Sequence, residues 1–395
     1  MLKYSLWLLL KLWKEMELSS IEKNAIVTYN YYRGVHMNKK TKNIIYAICG
    51  VTLVACVFYL LIDFKIINFG GKDTNENPPE AIEPEPEPEP EPKKLTIFDE
   101  DSNSRPYGII INNYPASMKA QTGLNDAYFI YEFPIEGGMS RSMALFKDKE
   151  TSQIGTVRSA RQYHPYYAVE HDAIFVHWGT NHPADDTIKS TKVTHIDANS
   201  NGKPFFRKNP YKLATEHTGY TSIPKLKSFV QGKKWRETTD VKPPIKYSYD
   251  NIDLSTVPEP KVANTVELTY GGSYKLKYTY NSETGKYDRS YNGKEHKDYI
   301  TKERFSTKNI VIQYVSVGTV KGYKDTAGTN YLDMTVTGSG KGWYITNGYA
   351  REITWEKSSK TAQTVYKYTD GTELLLNDGN TYLNFFNKSK SVSIK

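Results

Sequence analysis

Residues 44–64, IIYAICGVTLVACVFYLLIDF, form one nearly uncharged apolar run, and Glu83 to Pro92 then alternate strictly between Glu and Pro. Neither stretch can join a water-soluble core. The first matches the hydrocarbon thickness of a bilayer, and Lys39, Lys40 and Lys42 ahead of it hold that end in the cytoplasm. The second is kept extended by proline and by like-charge repulsion, so at ~3.1 Å per residue it works as a semi-rigid spacer. Any globular fold is therefore confined to residues from about 95 onward, on the extracytoplasmic side of a cell membrane.

The anchor can be read in two ways. Leu53-Val54-Ala55-Cys56 fits a lipoprotein cleavage box, with Cys56 as the residue to be lipidated and Ile44 to Ala55 as the signal core. Apolarity nonetheless continues through Val57-Phe58-Tyr59-Leu60-Leu61-Ile62, as an uncleaved transmembrane helix requires. Both readings tether the chain at residues 37–64. Met37-Asn38-Lys39-Lys40 resembles the start of an exported protein, so residues 1–36 read as a start-site extension or a short cytoplasmic segment.

Cysteine and charge narrow the function classes. Cys49 and Cys56 are the only cysteines, so the exported part has no disulfide, no cysteine-ligated metal and no cysteine nucleophile. Residues 1–92 hold ten Lys/Arg and twelve Asp/Glu against a whole-chain formal charge of +8, which puts residues 93–395 near +10. Such a domain is drawn to anionic wall polymers or lipid surfaces. Export and the absence of a recognised motif argue against nucleic acid.

The expected fold class is α+β: a mixed α/β domain over 95–240 followed by an antiparallel β-rich domain over 241–395, behind the linker 65–94. Tyr107–Asn113, Ala127–Phe133, Ser142–Phe146 and Asp172–Gly179 read as apolar strands, and Ser159–Glu170 and Thr221–Gln231 as helices. From about Pro243 the chain alternates β-branched and aromatic residues between turns such as Asn292-Gly293 and Asn347-Gly348, which predicts an antiparallel barrel or sandwich.

Several segments carry a resemblance. Arg105-Pro106-Tyr107-Gly108-Ile109-Ile110-Ile111-Asn112-Asn113, Tyr131-Glu132-Phe133-Pro134-Ile135-Glu136-Gly137-Gly138 and Gly155-Thr156-Val157-Arg158-Ser159-Ala160-Arg161 look like the YerB family. Tyr287-Asp288-Arg289, Gly293-Lys294-Glu295-His296-Lys297-Asp298 and Asn309-Ile310-Val311-Ile312-Gln313 continue the likeness, which spans nearly all of 98–387. It implies a two-part exported domain of the kind found in Gram-positive lipoproteins, and brings no established activity and no catalytic residues. The apolar segment after Cys56 departs from the family pattern.

Chemistry must then come from the residues. Asn113, Glu132, Arg141, Arg158, Ser159, Arg161, Trp178 and Asn181 lie in or beside apolar strands, where α/β folds place binding groups. Arg158 and Arg161 would share a helical face and hold a stem-peptide carboxylate or a teichoic phosphate; alternatively they pair internally with Glu132 and Glu136. Trp178 could stack on a sugar, and His177 or Glu136 could serve a wall-modifying enzyme as acid or base. Hydrogen-bonded strand and core roles for His177 and Trp178 compete with that.

Enzyme signatures are weak. Glu132 and Glu136 lie ~13 Å apart if extended, too far for a glycosidase pair. Ser159 lacks the Gly-X-Ser-X-Gly elbow. The spacing of His164, His171, His177 and His182 fits no metal motif. No metal or cofactor is expected, and the 32 tyrosines are mostly explained by cross-strand packing. The function expected is binding of an anionic or glycan envelope component, or of an envelope protein partner.

Overall fold

The computed structural model describes residues 93–324 and 328–395. The apolar run 44–64, Cys56 and the linker up to Pro92 lie outside the described residues. What is described is mostly β, with few helices.

Ten strands form the path of one mixed sheet. In chain order the elements that concern the site are β1 (Tyr107–Asn112), β2 (Phe129–Ile135), β3 (Met139–Phe146), α1 (His164–Glu170), β4 (Ile174–His177), α2 (His182–Thr191), β5 (His195–Asp197) and α3 (Ile223–Gly232). They are followed by β6 (Lys261–Val262), β7 (Thr265–Gly271), β8 (Tyr274–Asn281), β9 (Lys286–Tyr291), β10 (Asn309–Val315), β11 (Gly338–Thr346), β12 (Tyr349–Lys357) and β13 (Thr381–Asn387). The large sheet runs β6-β12-β11-β10-β13-β2-β3-β1-β4-β5, with Val365–Tyr368 added beside β12. Residues 95–240 and 241–395 thus share one sheet, joined where β2 pairs in parallel with β13.

Burial explains the two sequence textures. β1 and β2 are buried at every position because both sheet faces are covered, so they read as continuous apolar runs. On one face, Ile110, Phe133 and Phe175 pack with Tyr163 and Tyr167 near α1 and with Ala184 and Ile188 of α2. On the other, Ile109, Ile130 and Val176 pack with Ile223, Leu226 and Val230 of α3 and with Leu276 and Tyr278 of the second sheet. That second sheet, built on β7, β8 and β9, has one solvent face, and its strands alternate accordingly.

The structure departs from expectation in three places. Most C-terminal strands are antiparallel, but β10 pairs in parallel with β13 and Leu375–Asn377 with Lys246–Ser248, so they neither close on themselves nor stand alone. The first predicted helix begins at His164, because Pro165 fits only its first turn, and Ser159–Tyr163 is not helical. A second helix, α2, was not expected; Asn181 caps it by accepting from the Ala184 amide at 3.0 Å.

Strand directions decide where the site falls. β10, β13, β2, β1 and β4 all run the same way, since β10–β13, β13–β2 and β1–β4 are parallel and β3 is antiparallel to both β2 and β1. Their carboxyl ends share one edge.

Candidate functional site

At that edge the chain after β4 meets the segment 157–160. The Arg158 amide donates to the Ile110 carbonyl, the Trp178 amide to the Arg158 carbonyl and the Ala160 amide to the Gly179 carbonyl, each at 3.0 Å. The Val157 amide donates to Gly219 at 2.7 Å. These ties leave a pocket of about 350 Å³ lined by Arg158, Ser159, Trp178, Thr180, Arg207 and Glu216, among others.

The pocket is basic because its arginines lack carboxylate partners. Arg207 stacks on Trp178, its guanidinium carbon 4.1 Å from the ring centroid, and donates to the Thr215 carbonyl and Thr218 hydroxyl. Burial lowers the Arg158 pKa from its ordinary value; Glu216 on the rim opposes the shift, and Arg161 and Arg207 add to it. Behind Ser159 lies buried Arg141. Its Nη1 donates to the Ser159 carbonyl at 2.7 Å, and its Nε has no partner. Burial, then Arg161 and Arg158, hold its pKa well below the usual range. Among the described residues none of Arg141, Arg158 and Arg207 forms an ion pair; Glu216 stands on the pocket rim, and the other two acids close by are engaged. Glu136 pairs with Arg161 at 2.9 Å, and Asp197 accepts from the Gly179 amide at 2.7 Å.

The other sequence candidates are elsewhere. Glu132 is buried between the two sheets, where it accepts from Asn113 at 2.7 Å, Ser142 at 2.8 Å and Arg289 at 3.2 Å, and also from Ser140. Burial pulls Arg289 down, but Glu132 together with the nearby Tyr278, Tyr382 and Tyr274 outweighs it, so its pKa is raised. Glu136, pushed up by burial, is held below its ordinary value by Arg161, and also accepts from the Leu332 amide at 3.0 Å. Arg158 and Arg161 therefore do not act as a helical pair: one lines the pocket and the other is bound to Glu136. Asn181 serves as the α2 cap.

His177 is buried beside the pocket. Its Nδ1 donates to the Gly179 carbonyl at 2.9 Å, which leaves Nε2 to accept from His195 Nδ1 at 3.1 Å. Burial first, and His195 against the pull of Asp197, lower its pKa to about 4. Both nitrogens are occupied in this arrangement. The Ser159 hydroxyl donates to the Trp178 carbonyl at 3.0 Å rather than to a base. Trp178 is packed by Arg207 and Phe205, and a Cβ on Gly219 would stand 2.4 Å from its ring. The geometry is suited to holding an anion.

Sequence reasoning missed Arg207, Glu216 and His217. His217 Nδ1 meets the Asn112 amide at 2.8 Å, and its ring stacks on Tyr114 at 4.8 Å. No periodicity marks these residues, because Arg207 ends a two-residue strand and Glu216 and His217 lie in a single 3-10 turn, elements too short to set up a pattern.

Fold and site together define a β-rich protein built on two main sheets, with a basic pocket at the edge of the larger one. The chain belongs to the family described as "Protein of unknown function (DUF3048)": the N-terminal domain of that family matches residues 95–236 and the C-terminal domain residues 266–383. A protein of Bacillus subtilis (strain 168) named "Putative lipoprotein YerB" is 27% identical over 356 residues, covering 87% of this chain and 96% of that protein. The crystal structure of YerB protein from Bacillus subtilis is similar with a TM-score of 0.62 at 25% identity, covering 74% of this chain and 94% of that one. The likeness carried by the sequence motifs is thereby established.

Proposed function

We propose that the chain is a membrane-tethered, extracytoplasmic binding protein whose pocket at Arg158, Ser159 and Arg207 takes an anionic group of the cell envelope, a phosphate or a carboxylate. The observation that carries this reading is the set of three arginines, one of them buried, with no carboxylate partner. Charged donors at a partly dry site hold an oxyanion more strongly than water-exposed ones do. The tether is supported by the relative's name and by an alignment covering more of this chain than residues 95–395 alone could supply. Acylation of Cys56 is the finer form of that proposal.

The test is calorimetric titration of the protein with inorganic phosphate, with acetate and with a glycerol-phosphate oligomer, in chloride buffer. Arg158→Ala and Arg207→Ala are each expected to weaken phosphate binding by roughly tenfold, the scale for a charge-assisted contact. Unchanged affinity in both variants would overturn the assignment.

A further inference from the structure

The same sheet edge carries a second, larger basic feature on the far side of β13. β10 ends at Tyr314-Val315, β11 begins with Gly338-Ser339-Gly340-Lys341, and Lys388 to Lys395 run past them after β13. Together they line an open groove of about 800 Å³, within the size range of ligand sites.

The glycines explain its shape. Gly340 and Gly342 leave one face of β11 bare at alternate positions, and Trp355, in register with Gly340, fills that space: a Cβ on Gly340 would stand 2.6 Å from the indole nitrogen. The same nitrogen donates to the Tyr314 carbonyl at 3.1 Å and pins the end of β10. Half-buried Tyr314 and Trp343 are thereby left in the groove wall.

Five lysines surround these rings: Lys261, Lys341, Lys388, Lys390 and Lys395, all exposed. None of them forms an ion pair among the described residues, and no Asp or Glu lines the groove. Glu352 and Glu356 border it on β12, opposite Trp343 and Ser339 in register. Lys261 stands 5.3 Å from the centre of the Trp343 ring, on a flexible stem that can yield the face. Lys390 donates to the Tyr270 carbonyl.

We propose that this groove binds an anionic glycan strand, with sugar rings against Trp343 and Tyr314 and acidic substituents on Lys341, Lys388 and Lys395. Recessed aromatic faces give a sugar ring an apolar surface, and unpaired ammonium groups around them supply the charge complement. A bare polyanion would have no use for the rings, and a neutral sugar none for the lysines. The groove is also larger than a single small anion requires. The proposal is independent of the arginine pocket.

The test uses the full chain in detergent, titrated with a uronate oligosaccharide, a neutral glucan oligomer of the same length and linear polyphosphate of the same charge. Binding is followed by tryptophan fluorescence and calorimetry. The uronate oligosaccharide is expected to bind best. Trp343→Ala should weaken it about fivefold to tenfold, the usual scale for an aromatic anchor, with little effect on polyphosphate, while Trp343→Phe restores most of the affinity. The exposed pair Lys341→Glu and Lys388→Glu should weaken both acidic probes. Polyphosphate binding as tightly as the oligosaccharide, with Trp343→Ala silent, would reduce the groove to a basic patch and overturn the proposal. So would no binding by any probe. Loss of oligosaccharide binding in Arg158→Ala alone would move the ligand to the arginine pocket and also sink it.

Discussion

Replacing Arg141 by Met separates a residue held for a ligand from one held for the fold. In the free protein its guanidinium is buried, has one hydrogen bond to the Ser159 carbonyl, leaves Nε without a partner and lies near Arg158 and Arg161. The favourable side is one charged hydrogen bond, worth ~1.5–3 kcal/mol. The unfavourable side is an unmet buried donor at ~1–3 kcal/mol, together with the several kcal/mol it takes to strip water from an ion. Met keeps the apolar stem and removes the charge. The balance predicts that Arg141→Met raises unfolding free energy in phosphate-free buffer by about 1–2 kcal/mol. Urea unfolding measures it. Added phosphate should then stabilise the wild type, by about 1.4 kcal/mol at ten times its dissociation constant, and the Met variant clearly less. A variant more than ~2 kcal/mol less stable, with an unchanged phosphate response, would refute the reasoning: Arg141 would then be a structural tie.

Glu132→Gln should cost about 3–5 kcal/mol in urea unfolding, because it leaves Arg289 as an unpaired buried charge; it should not alter phosphate affinity, and a loss under ~1 kcal/mol would mean that the network is hydrated. Acid should destabilise the protein through His177. Its folded pKa, about 4, lies below the unfolded value, so the unfolded chain binds more protons between the two. The stability from keeping it neutral is complete above pH ~6.5 and falls by about 2–3 kcal/mol on going to pH 4.5, and unfolding midpoints of His177→Asn should show a shallower slope over that window. Cys56→Ser should abolish incorporation of labelled fatty acid in cells if Cys56 is acylated; retention in the membrane fraction without any label would instead favour an uncleaved helix.

Local pattern carried much of the fold. Wherever a strand is covered on both faces, as β1 is, its residues spell an apolar run, and wherever one face is wet, as in β8, they alternate. Pairing partners are another matter. β2 lies against β13, about 250 residues on, and nothing in either strand's composition names the other. α2 was missed because only Ala184, Thr187 and Ile188 are buried, too few to set up a helical period; its start signal, Asn181 followed by Pro183, was present and was read as a ligand group. The site divides in the same way. Arg158, Ser159 and Trp178 could be found because they sit at strand ends, and strand ends are legible. Arg289, which neutralises Glu132 from 157 residues away, could not.

The carboxyl edge of the large sheet links these features. Side chains within the sheet must satisfy one another, so Glu132, Asn113 and Ser142 close their hydrogen bonds inward and leave nothing for a ligand. At the edge that constraint lapses, and unpaired cations line it: Arg158 and Arg207 in the pocket beside the end of β4, Lys388 after β13, and Lys341 at the start of β11. Five strand steps separate β10 from β4, which at ~4.8 Å each places the two sites ~24 Å apart. Between them Glu136 is already neutralised by Arg161. An anionic polymer laid along this edge would meet positive charge at both ends and a closed ion pair in the middle, whereas a small anion would meet only one site. At that spacing the two sites answer to separate variants, Arg158→Ala for the pocket and Trp343→Ala for the groove, and a change in one need not alter the other.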